Sequence, residues 1–359
     1  KSQREQIERQ VPTAMVLEEN RQGIPRVQFR ERGEFLQRGG WMTADTPEVL
    51  PPMKEGLPKN RLGLARWLTH PEHPLTSRVQ VNRLWEHIFG RGIVETSENF
   101  GTQATPPTHP ELLDWLATEF VRKKWSNKQM LRLLVTSATY RQSSVTSAKI
   151  READPSNEWL ARAPRYRLEA ETLRDNALRI AGLLNPKIGG PSVFPVQPEG
   201  IWNTPYSGER WMTAEGADRY RRGLYTFMKR TAPYPSFMAF DATSREQCTV
   251  RRTRTNTPLQ ALAMLNDPAY LEAAKALAAE MAKVSKDPGA RVVEGFRRCT
   301  GRRPSAVEKS RLVKLAADMR RRYEDDADAA KKLAGTPESA AWVMVANVLL
   351  NLDETLNKE

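Results

Sequence analysis

From Asn60 onward the chain is written in helical periods. In NRLGLARWLTH, Leu62, Leu64, Ala65 and Leu68 fall on one expected face, and HPEHP ends the segment. LTSRVQVNRLWEHIFG repeats apolar positions at Val79, Leu84 and Ile88 and at Val81 and Trp85, and Gly90 follows as an expected C-cap. THPELLDWLATEFVRK predicts a helix with Thr108 as N-cap, Pro110 in the first turn and Glu111 as the capping-box partner. A further amphipathic helix is expected from Ser126. RYRLEAETLRDNALRIAGLLN turns Leu168, Leu173, Ala177 and Ile180 inward and stops at Asn185-Pro186. TPLQALAMLNDPAYLEAAKALAAEMAK reads as two helices hinged at Pro268. SAVEKSRLVKLAADMRRRYEDD and PESAAWVMVANVLLNLDE read as a paired terminal hairpin.

The remainder is less regular. Residues 1–10 look like the end of a helix, and VPTAMVLEE and PRVQFRERGEF alternate in the two-residue period of short strands. TPEVLPPMKEGLPKN is a Pro-rich linker or strap, and the Gly and Pro density between 186 and 258 forbids long helices there. The expected fold class is mainly α: an irregular multi-helix domain with a small N-terminal β element and long Pro/Gly-rich loops. Three segments are expected: a connector over 1–57, a main helical domain over 58–300 and a C-terminal helical hairpin over 301–359. No repeat of solenoid type is present.

Composition bounds the function classes. With 359 residues, 39% hydrophobic and 28% charged, the chain has the make-up of a soluble globular protein. A net charge of +13 favours polyanionic partners, although the charge is spread along the chain. No apolar run reaches the roughly 18 residues of a membrane-crossing helix. The opening KSQREQIERQ reads as an internal stretch and assigns no compartment. Cys248 and Cys299 lie far apart and outside any CxxC or CxxCH pattern, so neither a metal nor covalently held haem is expected in this chain. His70, His73, His87 and His109 cluster in sequence. Their proximity to prolines favours structural roles over a shared metal or acid–base site.

The richest chemistry lies in YRRGLYTFMKRTAPYPSFMAFDATSREQCTVRRTRTNTPLQALAMLND, Tyr220 to Asp267, with eight Lys/Arg against three Asp/Glu. Arginine suits planar, two-pronged contacts to carboxylate, sulfate or phosphate. Two readings follow: an Arg–acid network that pins irregular loops, or a surface that recognises an anion. Glu171 and Asp175 share a helix face and pair either as acid and base or with these arginines. No GxSxG, phosphate-binding loop, HExxH or GxGxxG after a strand occurs. No helix concentrates its Lys/Arg on one face, which disfavours a nucleic-acid partner.

The long strings NRLGLARWLTHPEHPLTSRVQVNRLWEHIFGRGIVETSENFGTQATPPTHPELLDWLATEF, LLVTSATYRQSS, RAPRYRLEAETLRDNALRIAGLL, GGPSVFPVQPEGIW, the Arg-rich segment and VLLNLDE carry a family resemblance. Over residues 58–353 the chain resembles the planctomycete-specific domain of unknown function, the C-terminal module of planctomycete cytochrome-c-domain surface proteins. The resemblance implies export to the periplasm or cell surface and implies no known reaction. It places any haem on a separate upstream domain and implies contacts with other domains of the parent chain.

The candidate ligand-binding residues are Arg78, Asn82, Arg83, Arg230, Arg245, Arg251, Arg252, Arg254 and Asn256, and the candidate acid–base residues are Asp175, Asp241 and Glu246. They are expected to converge between the helices starting near Ser77 and Thr257. The expected partner is an anionic glycan or a partner protein. The alternatives are an enzyme acting on an anionic polysaccharide and, behind it, a nucleic-acid binder.

Overall fold

A computed structural model describes residues 2–11, 13–18, 23, 26–202 and 210–358. Among the described residues the protein is mainly helical, with fifteen helices over about half of the chain and two two-stranded antiparallel β pairs. It divides into two compact units, Lys1–Val135 and Thr136–Glu359.

The first unit begins with α1 (Ser2–Gln10) and a hairpin of β1 (Val27–Arg30) and β2 (Arg38–Met42), in which Val27 faces Met42 and Gln28 faces Trp41. The strand expected in VPTAMVLEE does not form over 13–18, and its Pro12 and Glu19 lie outside the described residues. Helix α2 (Arg61–Leu68) is capped by Asn60, whose side-chain oxygen accepts from the Leu62 and Gly63 amides, both at 3.1 Å. Its burial corrects the leucine-face expectation. Leu62, Leu64 and Leu68 are 52%, 42% and 38% exposed, whereas Gly63 and Trp67 are buried. The helix presents this i, i+4 face because a Cβ on Gly63 would sit 1.8 Å from the Pro58 carbonyl oxygen, and the Trp67 indole donates to the Pro51 carbonyl at 2.7 Å. The large indole thus gains both burial and a hydrogen bond against the Pro-rich strap.

Helix α3 (Thr76–Phe89) buries Val81, Asn82, Trp85 and Phe89 and ends at Gly90, whose φ of 82° is the left-handed cap glycine tolerates. It packs on α4 (Pro110–Arg122). The Thr108 cap does not form. His109 occupies the N-cap position without a side-chain capping bond, and the Thr108 hydroxyl donates instead to the Ile93 carbonyl at 3.3 Å. Helix α5 (Asn127–Thr136) follows Ser126 as expected.

The second unit contains α6 (Ala148–Ala153), β3 (Tyr166–Arg167), α7 (Ala170–Ile180), α8 (Pro235–Ala239), α9 (Pro258–Asn266) and α10 (Pro268–Val284). It closes with α11 (Pro288–Thr300), α12 (Ala306–Asp325), α13 (Ala327–Ala334), α14 (Pro337–Leu350), α15 (Asp353–Leu356) and β4 (Asn357–Lys358), which pairs with β3. Asp267 ends α9 and caps α10, its carboxylate accepting from the Ala269 amide at 2.9 Å, so the hinge at Pro268 is a capped break. Helix α14 is the buried centre, covered by α10, α11, α12 and α13. Its Trp342, Val343, Val345, Leu349 and Leu350 join Leu173, Tyr234, Phe237, Tyr270, Leu277 and Phe296 in one core. Each such large side chain contributes about 1.5–3 kcal/mol on burial. Among the described residues no single helix is long and apolar enough to cross a membrane. The pair α13 and α14 reaches that length together but is bent by 63°.

Candidate functional site

Helix α7 organises the Arg-rich segment. Its Leu173, Ala177 and Ile180 face the core, which leaves Glu171, Arg174 and Asp175 to meet the chain that wraps it. Arg174, 2% exposed, donates to the carbonyls of Arg221 at 2.7 Å and Arg219 at 3.0 Å. Arg221, 1% exposed, has no carboxylate beside it in any described contact. Its guanidinium stacks 3.8 Å from the Tyr225 ring centre and donates to the carbonyls of Pro191, at 2.9 Å, and Gly189. That stapling gives the Gly189-Gly190-Pro191 loop its shape. Arg252 grips Glu171 with two parallel hydrogen bonds of 2.6 and 3.0 Å and lies 3.5 Å from Glu169. Burial, the largest single effect, would raise the Glu171 pKa. The Arg252 hydrogen bond, the residue's own amide and the nearby charges of Arg252 and Arg245 together outweigh it and hold the carboxyl below its usual range.

Asp175 anchors the same wrap. Its Oδ1 accepts the Gly223 amide at 2.6 Å and its Oδ2 lies 3.5 Å from Arg222. Here burial wins and the pKa is raised, against the pull of the Gly223 amide and of Arg174 and Arg222. The approach is close because residue 223 is glycine: a Cβ there would lie 2.9 Å from the Glu171 Cβ. Asp241 is held in the left-handed region, with φ of 62°. It pairs with Arg167 and accepts from the Thr255 amide at 2.9 Å and hydroxyl at 2.8 Å. An aspartate tolerates that backbone better than most side chains.

Beyond this network lies a rank of rings and cations. The Arg254 guanidinium sits 4.5 Å from the Tyr166 ring centre, and the Lys358 ammonium lies 4.2 Å from Tyr140 and 5.8 Å from Tyr166. The β3–β4 pairing, with Tyr166 opposite Lys358, assembles it. Burial pushes the Tyr166 phenol up to about 12, although Arg254 acts in the opposite direction, so the hydroxyl stays protonated at neutral pH. Burial also lowers the Lys358 pKa, and no carboxylate faces that ammonium among the described residues.

The sequence candidates are therefore distributed as follows. Arg78, Asn82 and Arg83 lie in the first unit. Arg78 pairs with Asp114 at 2.7 Å. Asn82, fully buried, accepts from the Val94 amide at 2.9 Å and donates to the Val94 carbonyl and Ser97 hydroxyl. Arg230, Arg245, Arg251, Arg252, Arg254 and Asn256 lie in the second unit, all exposed except the half-buried Arg252. Arg245 is close enough to help lower the Glu171 pKa. Of the acid–base candidates, Asp175 and Asp241 fasten loops, while Glu246 is exposed and its amide bonds Ser244 at 3.4 Å. The histidines act locally: His70 and His73 each accept backbone amides through Nδ1, from Glu72 and from Leu75 and Thr76 respectively. Both cysteines are free thiols, Cys248 exposed and Cys299 buried.

The strings that hold α2 to α12 in place are also those by which the chain can be classified. A family profile described as PSD1, a protein of unknown function (DUF1553), matches residues 60–316. The chain belongs to the PSD1 family. No curated protein and no solved structure matches it. The PSD1 match ends before β4, so Lys358, which completes the ring–cation rank, lies outside the matched residues. Sequence reasoning missed Tyr140, Tyr166 and Lys358 as a group because β pairing joins positions far apart in the chain. Tyr166 beside the basic Arg165 and Arg167 was the one local signal.

Proposed function

We propose that this PSD1 domain is an extracytoplasmic binding module of a larger planctomycete surface protein. In this reading it accompanies a cytochrome-c-like domain and recognises a sulfated or carboxylated polysaccharide. The observation that carries the reading is the rank of Arg254 and Lys358 on Tyr166 and Tyr140. A ring face positions a cation without cancelling its charge, so Lys358 keeps its attraction for an external anion. Sugars present apolar C–H faces to aromatic rings and acidic groups to cations, and this surface offers both. Arg245 and Arg251 add exposed positive charge on the same Arg-rich segment. Asp175 and Asp241 spend their lone pairs on loop amides, which favours recognition over hydrolysis.

The test is titration of wild type and variants with a sulfated glycosaminoglycan and with a polyuronate. Lys358→Ala and Arg254→Ala are expected to weaken binding about tenfold each while leaving the unfolding midpoint near that of wild type. Arg252→Ala is expected to keep the affinity and lose stability, because its partner is Glu171. Wild-type affinity in both Lys358→Ala and Arg254→Ala would sink the reading.

A further inference from the structure

The first unit carries a separate open groove of about 720 Å³, within the span of roughly 300–1,000 Å³ typical of small-molecule sites. Its apolar wall comes from Trp67 on α2, Val79 on α3, Phe120 on α4 and Trp125 in the α4–α5 turn. The Phe120 and Trp125 rings meet edge to face at 5.1 Å. Trp125 stands at φ 60° directly after Lys124 at φ 53°, two consecutive bulky residues in the left-handed region. Such backbone is strained and persists where the surroundings impose it, often at ligand clamps. Here it sets the Trp125 indole into the groove wall.

The polar groups are few and one-sided. The Trp67 indole N–H is committed to the Pro51 carbonyl at 2.7 Å, and Gln80 and Asn127 bond each other at 3.3 Å. His73 is neutral at neutral pH because burial lowers its pKa. Among the described residues no aspartate or glutamate lines the groove, and Arg83 is its one cation. Arg83 is exposed and makes no hydrogen bond or ion pair with any described residue. An aromatic wall beside one uncommitted guanidinium is complementary to a small molecule with a flat apolar body and a single carboxylate.

We propose that this groove binds an aromatic monocarboxylic acid, its ring system against Trp67, Phe120 and Trp125 and its carboxylate on Arg83. The proposal is independent of polysaccharide recognition in the second unit. Naphthoate and biphenyl carboxylate, with their neutral carboxamides as controls, are titrated into the full chain while indole fluorescence and calorimetric heat are recorded. Saturable binding of at least one acid is expected, with the matching amide at least tenfold weaker. Arg83→Gln should remove that preference for the acid, whereas Arg83→Lys should restore part of it. Val79→Trp, which fills the groove, should abolish binding of acid and amide alike with the helical circular-dichroism signal retained. Failure of both acids to bind, or equal binding of acid and amide, would overturn the proposal. So would an Arg83→Gln variant that still discriminates between them.

Discussion

At the scale of single residues, the same chemistry serves two ends, and neighbours decide which. Arg252 and Arg254 are two positions apart, yet one is locked to Glu171 and the other lies on Tyr166. Removing Arg252 strands a half-buried carboxylate, and breaking such a pair from one side costs up to about 3–5 kcal/mol when fully buried. With Glu171 and Arg252 still partly in contact with water, Arg252→Ala is expected to lose about 1–3 kcal/mol at neutral pH by urea unfolding. The pH dependence follows from the depressed Glu171 pKa. The stabilisation is present above the unfolded-state value near 4.3 and fades as pH falls through the lower folded value. The deficit of Arg252→Ala should therefore shrink below about pH 4, and a deficit that is the same at pH 3 and pH 7 would contradict the pairing. Asn82 teaches the converse lesson. As a polar residue between arginines it reads as a ligand contact, but full burial makes it a brace for the Val94 backbone.

Among the elements, α7 matters most, because it has core on one side and the Arg-rich chain on the other. Its apolar positions at Leu173, Ala177 and Ile180 were legible from the helical period alone. The attachment of residues 219–223 to its polar face was not, since hydrogen bonds to carbonyls leave no residue-type signature. Gly223→Ala tests that attachment. The added methyl would press on Glu171 and lift the Gly223 amide from Asp175, so a loss of about 1–3 kcal/mol is expected in urea unfolding. An unchanged midpoint would show that the loop is not held in this way. Helix α2 shows the limit of periodicity from the other side. Its leucines satisfy a hydrophobic face, but Gly63 and Trp67 win the interior because only they fit the strap at Pro51 and Pro58.

For the whole molecule, the net charge of +13 creates a general attraction for polyanions that must be separated from any specific site. Screening acts over about 8 Å at physiological ionic strength, so the diffuse contribution should fall steeply with added salt. Polysaccharide binding is expected to weaken with salt in wild type while the difference between wild type and Lys358→Ala persists at physiological ionic strength. If that difference vanishes along with the diffuse attraction, Lys358 is only one charge among many. Helix content, the break at Pro268 and family membership were all determined by the sequence, because period, capping and unusual local strings are short-range properties. Which arginines are neutralised, which leucines stay exposed, and which tyrosines meet Arg254 and Lys358 were decided only by the tertiary structure. Those outcomes depend on contacts between distant segments, where the competition among burial, ion pairing and backbone hydrogen bonding is settled by geometry that no local pattern encodes.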